Sequence, residues 1–219
     1  MSMSREAFVG RVSEALGRSS ARAEAPPPPI VRDEVVRLVE PGEAVVDTFI
    51  ERAEAVGLHV YRTSEADLAA TLGRLLNELS IKRVACGSAV AGVDAALQEA
   101  GVEQVAWRND RVMSTLYEVD AGISDAESAF ADSGTIVVKG DGASGRGLYL
   151  VPPVHIAVLR GADVLADQLD YMRPLRDVKP GELPAGRTFI TGPSKTADIE
   201  GVLVTGVHGP GAVHILLIE

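Results

Sequence analysis

The sequence predicts an α/β fold, a mostly parallel sheet with helices on both faces and an antiparallel insertion. Three observations carry this. Helix-like and strand-like apolar patterns alternate three times between Pro41 and Trp107. Beyond Gly134 the strands are separated by glycine and proline rather than by helices. The chain is 46% hydrophobic but only 4% aromatic, so a core of the size that 219 residues can bury must be built from Val, Leu, Ile and Ala.

The elements follow in order. Phe8, Val12, Ala15 and Leu16 fall on one face of a short helix, with Ser4 as N-cap and Gly17 as stop. The Pro26–Pro29 run then imposes an extended polyproline II segment. This divides the chain into a helical arm with a proline-rich linker, residues 1–34, and a body, residues 35–219. An arm that docks and a frayed terminus both fit the pattern. In the body, Val45, Val46, Phe49, Ile50, Ala53 and Val56 form a helical stripe between Pro41 and Gly57. Leu58–Tyr61 reads as a strand, and Leu68, Leu72, Leu75, Leu76 and Leu79 as a second helical face. Arg83–Cys86 is a strand, Ala89–Ala100 a helix closed by Gly101, and Val102–Trp107 a strand. Gly134–Lys139, Leu148–Val151 and His155–Leu159 are further strands, and Ala162–Met172 is helical. Arg187–Thr191 and Val213–Ile218 are expected to be buried strands flanking a helix that begins near Lys195.

Charge and composition exclude several classes. The formal net charge is −10; residues 1–32 hold five arginines against three glutamates, which leaves −12 on the remainder. That balance argues against nucleic acid as a partner. No apolar run approaches about 18 residues, so no membrane span is expected, and no secretory pattern is visible. A cytoplasmic protein is the expectation. The single cysteine, Cys86, cannot form a disulfide within the chain or by itself ligate zinc or an iron–sulfur cluster; it is read as a small core residue. His59, His155, His208 and His214 lack the spacing of a metal site. Gly140, Gly142 and Gly145 spell GxGxxG after a strand, but Pro152 and Pro153 forbid the helix that a dinucleotide site needs, so a glycine-rich hairpin loop is expected. Lys195-Thr196 ends like a P-loop, yet Ser194 and Phe189 stand where its glycines belong.

Polar residues gather in three segments. Ser124, Asp125, Glu127, Asp132, Ser133 and Thr135 flank a strand entrance, as ligand-facing groups or as turn and cap residues. Thr191-Gly192-Pro193-Ser194-Lys195-Thr196-Ala197-Asp198 would open a helix whose free N–H groups, with Lys195, could take a carboxylate or phosphate. Gly206-Val207-His208-Gly209-Pro210-Gly211 is a tight loop whose titratable group is His208. His155, beside Pro152-Pro153, is a similar candidate. Asp132, His208 and His155 are thus the catalytic candidates, and Thr135, Ser194, Lys195, Thr196 and Asp198 the ligand-binding ones.

At these segments the sequence resembles the LUD-domain family, specifically its lactate utilisation protein C (LutC/YkgG) group. The family's Ala-Glu-Thr-Gly-Thr before an apolar strand appears as Ala131-Asp132-Ser133-Gly134-Thr135, with Asp and Ser in place of the usual Glu and Thr. A Leu-Pro-Pro-x-His-Ile-type segment appears as Val151-Pro152-Pro153-Val154-His155-Ile156. Closest are the stretch from Ile190 to Glu200 and the Gly206-Val207-His208-Gly209-Pro210 loop before the strand with His214. The resemblance implies a three-layer α/β/α fold of the NagB/RpiA/CoA-transferase type. It also implies a part in oxidising L-lactate to pyruvate beside partner proteins that carry iron–sulfur clusters, this chain binding no cofactor itself. A non-redox subunit or accessory factor, binding a small carboxylate or a partner surface near Lys195–Glu200, is therefore expected. The alternatives are a stand-alone acyl-CoA or sugar-phosphate enzyme, with Asp132, Asp125 or Glu127 as its carboxylate, and a binding module without chemistry.

Overall fold

The computed structural model describes residues 3–18, 27, 32–42, 44–108, 112–140, 145–197 and 201–219. The chain forms two units, Met1–Val36 and Arg37–Glu219. In the first, helix α1 (Arg5–Ala15) starts where the Ser4 hydroxyl accepts from the Ala7 N–H at 3.2 Å. It ends before Gly17 at φ 61°, and α2 (Asp33–Val36) follows. Of the proline run only Pro27 is described; the rest of the polyproline expectation lies outside the described residues.

The second unit is built on six strands. Helix α3 (Val45–Ala55) precedes β1 (His59–Thr63), and α4 (Leu68–Glu78) precedes β2 (Arg83–Cys86). Next come α5 (Val93–Glu99), β3 (Glu103–Gln104), α6 (Val112–Tyr117) and β4 (Ala121–Asp125). Strands β5 (Ser128–Phe130) and β6 (Thr135–Lys139) leave this sheet, and β7 (Val154–Arg160) returns to it. The remaining elements are β8 (Val164–Leu165), α7 (Gln168–Met172), β9 (Arg187–Ile190), β10 (Lys195–Thr196), β11 (Val204–Thr205) and β12 (Ala212–Ile218).

The main sheet runs β1-β12-β7-β4-β2-β3 and every pairing in it is parallel. Its central strands are buried on both faces, as continuous apolar runs such as Val213–Ile218 require. Alternation sorts their side chains. Ile156, Val158, Leu216 and Ile218 join Leu68, Leu72, Leu75 and Leu76 of α4 and Val93, Ala96 and Leu97 of α5 in one core. Ala157, Leu159, Ile215 and Leu217 join Val45, Phe49 and Ala53 of α3 on the other face, with Ala129, Ile136 and Val138 of the smaller sheet. That smaller sheet runs β8-β5-β6-β9, antiparallel at β5–β6 and β6–β9. It is the antiparallel insertion of the sequence reading. Among the described residues no helix is long and apolar enough to cross a membrane.

Five local expectations are corrected. Leu148–Val151 is not a strand: a 3₁₀ turn over Arg146–Tyr149 buries the successive side chains Leu148 and Tyr149, which the alternation of a strand would send to opposite faces. Gly122 of β4 lacks the Cβ that would overlap the Leu148 carbonyl, so this turn lies directly on the sheet. The glycine-rich hairpin goes with it, since β6 pairs with β5 and β9; Gly142 lies outside the described residues. Ala162–Met172 is not one helix, because Asp167 caps a new helix by accepting from the Leu169 and Asp170 N–H groups, after β8 has joined β5. The helix expected from Ala89 begins only at Val93, after Gly92 at φ 93°. The expected Val102–Trp107 strand shrinks to Glu103–Gln104, and the Trp107 indole N–H turns back to the Cys86 carbonyl at 3.0 Å.

Candidate functional site

The turn Ala131–Gly134 joins β5 to β6, and Gly134 is its fixed point. Its φ is 65°, and a Cβ there would stand 2.6 Å from Ala53 Cα of α3, so backbone meets backbone. This seats Asp132 and Ser133 beside the last turn of α3. The Ser133 hydroxyl donates to Asp132 Oδ1 at 2.9 Å and lies 2.9 Å from the Thr135 hydroxyl. Thr135 in turn lies 2.7 Å from the Thr191 hydroxyl. The register explains the last contact: Ile136 pairs with Ile190, so Thr135 and Thr191 are the next cross-strand neighbours. Thr135 is 4% exposed, whereas Thr191 is exposed, so this four-member chain reaches solvent at Thr191.

After Thr191 the chain is pressed onto the end of α3. Gly192 has φ 108°, and a Cβ on it would lie 2.7 Å from the Val56 carbonyl oxygen. The Lys195 ammonium donates to the same carbonyl at 3.4 Å. No helix begins at Lys195, which corrects the sequence reading. Lys195 and Thr196 form β10, antiparallel to β11, so the expected helix-terminus anion site is absent there. The cause lies in the backbone: the Ser194 N–H donates to the Pro210 carbonyl and the Ser194 carbonyl accepts from the Gly206 N–H, at 2.9 and 2.8 Å. These bonds hold the segment extended. They also join the second and third polar segments, with Gly209 packed on the Ser194 side chain. His208 is exposed on that loop, and Asp198 lies outside the described residues.

His155 is set apart from this cluster. It is fully buried in β7, its Nε2 lies 2.9 Å from the Ser124 hydroxyl and its Nδ1 has no partner among the described residues. Burial, with His214 nearby, holds its pKa down to about 3, so the ring is neutral. On β12, His214 stacks on His59 of β1 with ring centroids 4.8 Å apart, and its Nδ1 lies 3.2 Å from the Tyr61 hydroxyl. Burial and His59 lower its pKa to about 4.

The other carboxylates have structural partners. Glu127 is desolvated, but Arg187 at 2.9 Å, Lys139 at 2.9 Å and the Tyr171 hydroxyl at 2.8 Å bind its ionised form and bring its pKa below the usual value. Asp125, at the carboxyl end of β4, accepts from the Ser88 hydroxyl and from the Ala89 N–H at 2.8 Å, tying down the loop after β2. At the same end of the sheet, Ser64, Glu65, Arg160 and Glu219 line a cavity of about 630 Å³ floored by Val46 and Ile218, with Arg160 paired to Glu65. Open parallel sheets take ligands at that end. Sequence reasoning singled out neither Arg160 nor Glu65, nor Thr191 as a site residue, because each gains its neighbours from a distant strand. Among the described residues no group of three or more His, Cys, Asp or Glu could hold a metal ion.

The LUD domain family matches residues 46–218. The chain is 30% identical over 236 aligned residues to Lactate utilization protein C 1 of Bacillus mycoides, across 98% of this chain and 97% of that protein. It is 31% identical over 228 residues to the uncharacterized protein YkgG of Escherichia coli, across 97% and 96%. Among solved structures, a DUF162 family protein of Deinococcus radiodurans superposes with a TM-score of 0.57 at 19% identity, covering 80% of this chain and 96% of that one. That likeness is one of fold.

Proposed function

The chain belongs to the LUD-domain family, and from this membership we propose that it serves lactate utilisation as a non-redox subunit or accessory factor of an iron–sulfur system that oxidises L-lactate to pyruvate. The observation that carries the reading is the similarity, over nearly the whole chain, to Lactate utilization protein C. The chain's own chemistry supports the non-redox role. Its one cysteine is half-buried at the end of β2, with a thiol pushed up to about 11 mainly by burial, and one thiol cannot hold a cluster. The clusters and the electron transfer then belong to cysteine-rich partner proteins of the same pathway. A small carboxylate binds at Thr191, Ser194 and Lys195, where the Lys195 ammonium supplies the charge, with Asp132 and Thr135 behind Thr191 in the chain of hydroxyl contacts. Thr196, in β10, borders it.

The test is genetic and biochemical. Clean deletion in a strain without a paralogue is expected to abolish growth on L-lactate, and the wild-type chain to restore it. A tagged chain from lactate-grown cells is expected to co-elute with an iron–sulfur protein and lactate-dependent dye reduction. Unchanged growth of the deletion strain overturns the reading.

A further inference from the structure

The chain of hydroxyls between Asp132 and Thr191 has only one consistent direction. A carboxylate accepts and does not donate, so the Ser133 hydrogen goes to Asp132 Oδ1. A serine hydroxyl has one hydrogen, and the 2.9 Å contact between Ser133 and Thr135 therefore has Thr135 as its donor. Thr135 has then spent its own hydrogen, and the 2.7 Å contact with Thr191 has Thr191 as donor. Every proton in the series points toward Asp132. Thr191, the exposed end, is left with lone pairs facing outward and no hydrogen to offer. Among the described residues none donates to it.

We propose that Thr191 is a specificity-determining residue that accepts a hydrogen bond from the ligand, so that the site takes a 2-hydroxycarboxylate in preference to the matching 2-oxocarboxylate. The hydroxyl of the ligand donates to Thr191 Oγ1, and its carboxylate lies toward Lys195 on the same loop. A 2-oxo group brings only an acceptor to the same position, lone pair against lone pair. Asp132, Ser133 and Thr135 are positioning residues: none needs to touch the ligand, and their effect is carried by the direction of the hydrogen bonds. The inference rests on the reading that the chain serves lactate utilisation, and it adds to that reading which side of the redox pair the chain holds.

The experiment uses the full-length chain with sodium L-lactate and sodium pyruvate as probes, titrated by calorimetry or ligand-observed NMR. The wild type is expected to bind L-lactate about tenfold more tightly than pyruvate, the effect of one unmatched polar contact. Thr191→Val should bring the two affinities within about twofold of each other, and Thr191→Ser should restore the preference. Asp132→Asn, whose amide can donate as well as accept, should weaken the preference while circular dichroism and the unfolding midpoint show a folded chain. A structural defect would lower both affinities together and leave their ratio alone. Binding of neither probe, equal binding by the wild type, or an unchanged ratio in Thr191→Val overturns the proposal. Expressing the same variants in the deletion strain separates the two claims. Failure of the wild-type chain to restore growth on L-lactate counts against the functional reading, whereas restored growth without discrimination counts against the role of Thr191.

Discussion

Thr135 and Thr191 stand 56 residues apart in sequence and 2.7 Å apart at their hydroxyl oxygens, where the start of β6 meets the end of β9. That contact ties the turn Asp132–Gly134 to the loop Gly192–Lys195, and both are held against the last turn of α3 by glycines. The site therefore depends on backbone approach as much as on side chains.

Gly134→Ala is expected to destabilise the fold by about 2–4 kcal/mol, since a methyl group must enter the backbone of Arg52 and Ala53 at a φ of 65°. Gly73→Ala is the control. It lies inside α4 with nothing within 4 Å of its would-be Cβ, and should stabilise the chain by about 0.5–1 kcal/mol. Urea unfolding of the two variants should move the midpoint in opposite directions.

The two buried imidazoles set an acid limit. His155 and His214 titrate near 3 and 4 in the fold against 6.5 when unfolded, so the unfolded chain takes up their protons first. Their contribution to stability is complete above about pH 6.5 and is lost as the pH falls toward the folded values. Each adds a slope of up to about 1.4 kcal/mol per pH unit within that window. Urea midpoints at pH 7, 6 and 5 should fall steadily, and His214→Gln should make the fall shallower. A flat wild-type profile over this range would contradict the assignment.

Glu127 is expected to act through stability alone. Its carboxylate satisfies Arg187, Lys139 and Tyr171 together, and both it and Arg187 are 18% exposed at the side chain. Glu127→Gln should cost about 1–3 kcal/mol, because Arg187 loses its charged partner in a half-buried place. Complementation on L-lactate at low temperature should survive this change. Loss of growth in a folded variant would return Glu127 to the list of reacting groups.

What the sequence makes legible is mostly local. The Leu68, Leu72, Leu75 and Leu76 stripe and the short run Arg83–Cys86 are each explained by their own period, and the structure forms α4 and β2 there. The motif segments are legible as polar clusters, but their meeting is not, since antiparallel pairing of β6 with β9 leaves no mark on either segment alone. Lys195 shows the failure most clearly. Ser, Lys, Thr and two acidic residues read as a helix start, but the Ser194 backbone is committed to Gly206 and Pro210, and tertiary hydrogen bonds override propensity. Leu148 and Tyr149 mislead for a related reason: two adjacent apolar residues are as compatible with a buried turn as with a strand.

Cys86 gives the remaining test, one of reactivity. It ends β2 beside a cavity of about 440 Å³ lined by Gln104, Val105, Ala106, Trp107 and Arg108, a place where a nucleophile or a redox thiol could have worked. Such a thiol needs a lowered pKa, from a nearby cation or a helix N-terminus. Here burial drives the value up to about 11 and Asp94 and Asp125 add to the rise, against a single backbone hydrogen bond from Ser88 that lowers it. Alkylation by iodoacetamide at pH 8 should therefore run about a hundredfold slower than for a free cysteine, in proportion to the thiolate present. Asp125→Asn removes the weaker of the two charges and should speed it only slightly, since burial is the main cause. Cys86→Ala should complement growth on L-lactate like the wild type, because electrons leaving lactate have no route through a thiol that stays protonated. Fast alkylation, or failed complementation by a folded Cys86→Ala chain, would put sulfur chemistry back into this chain.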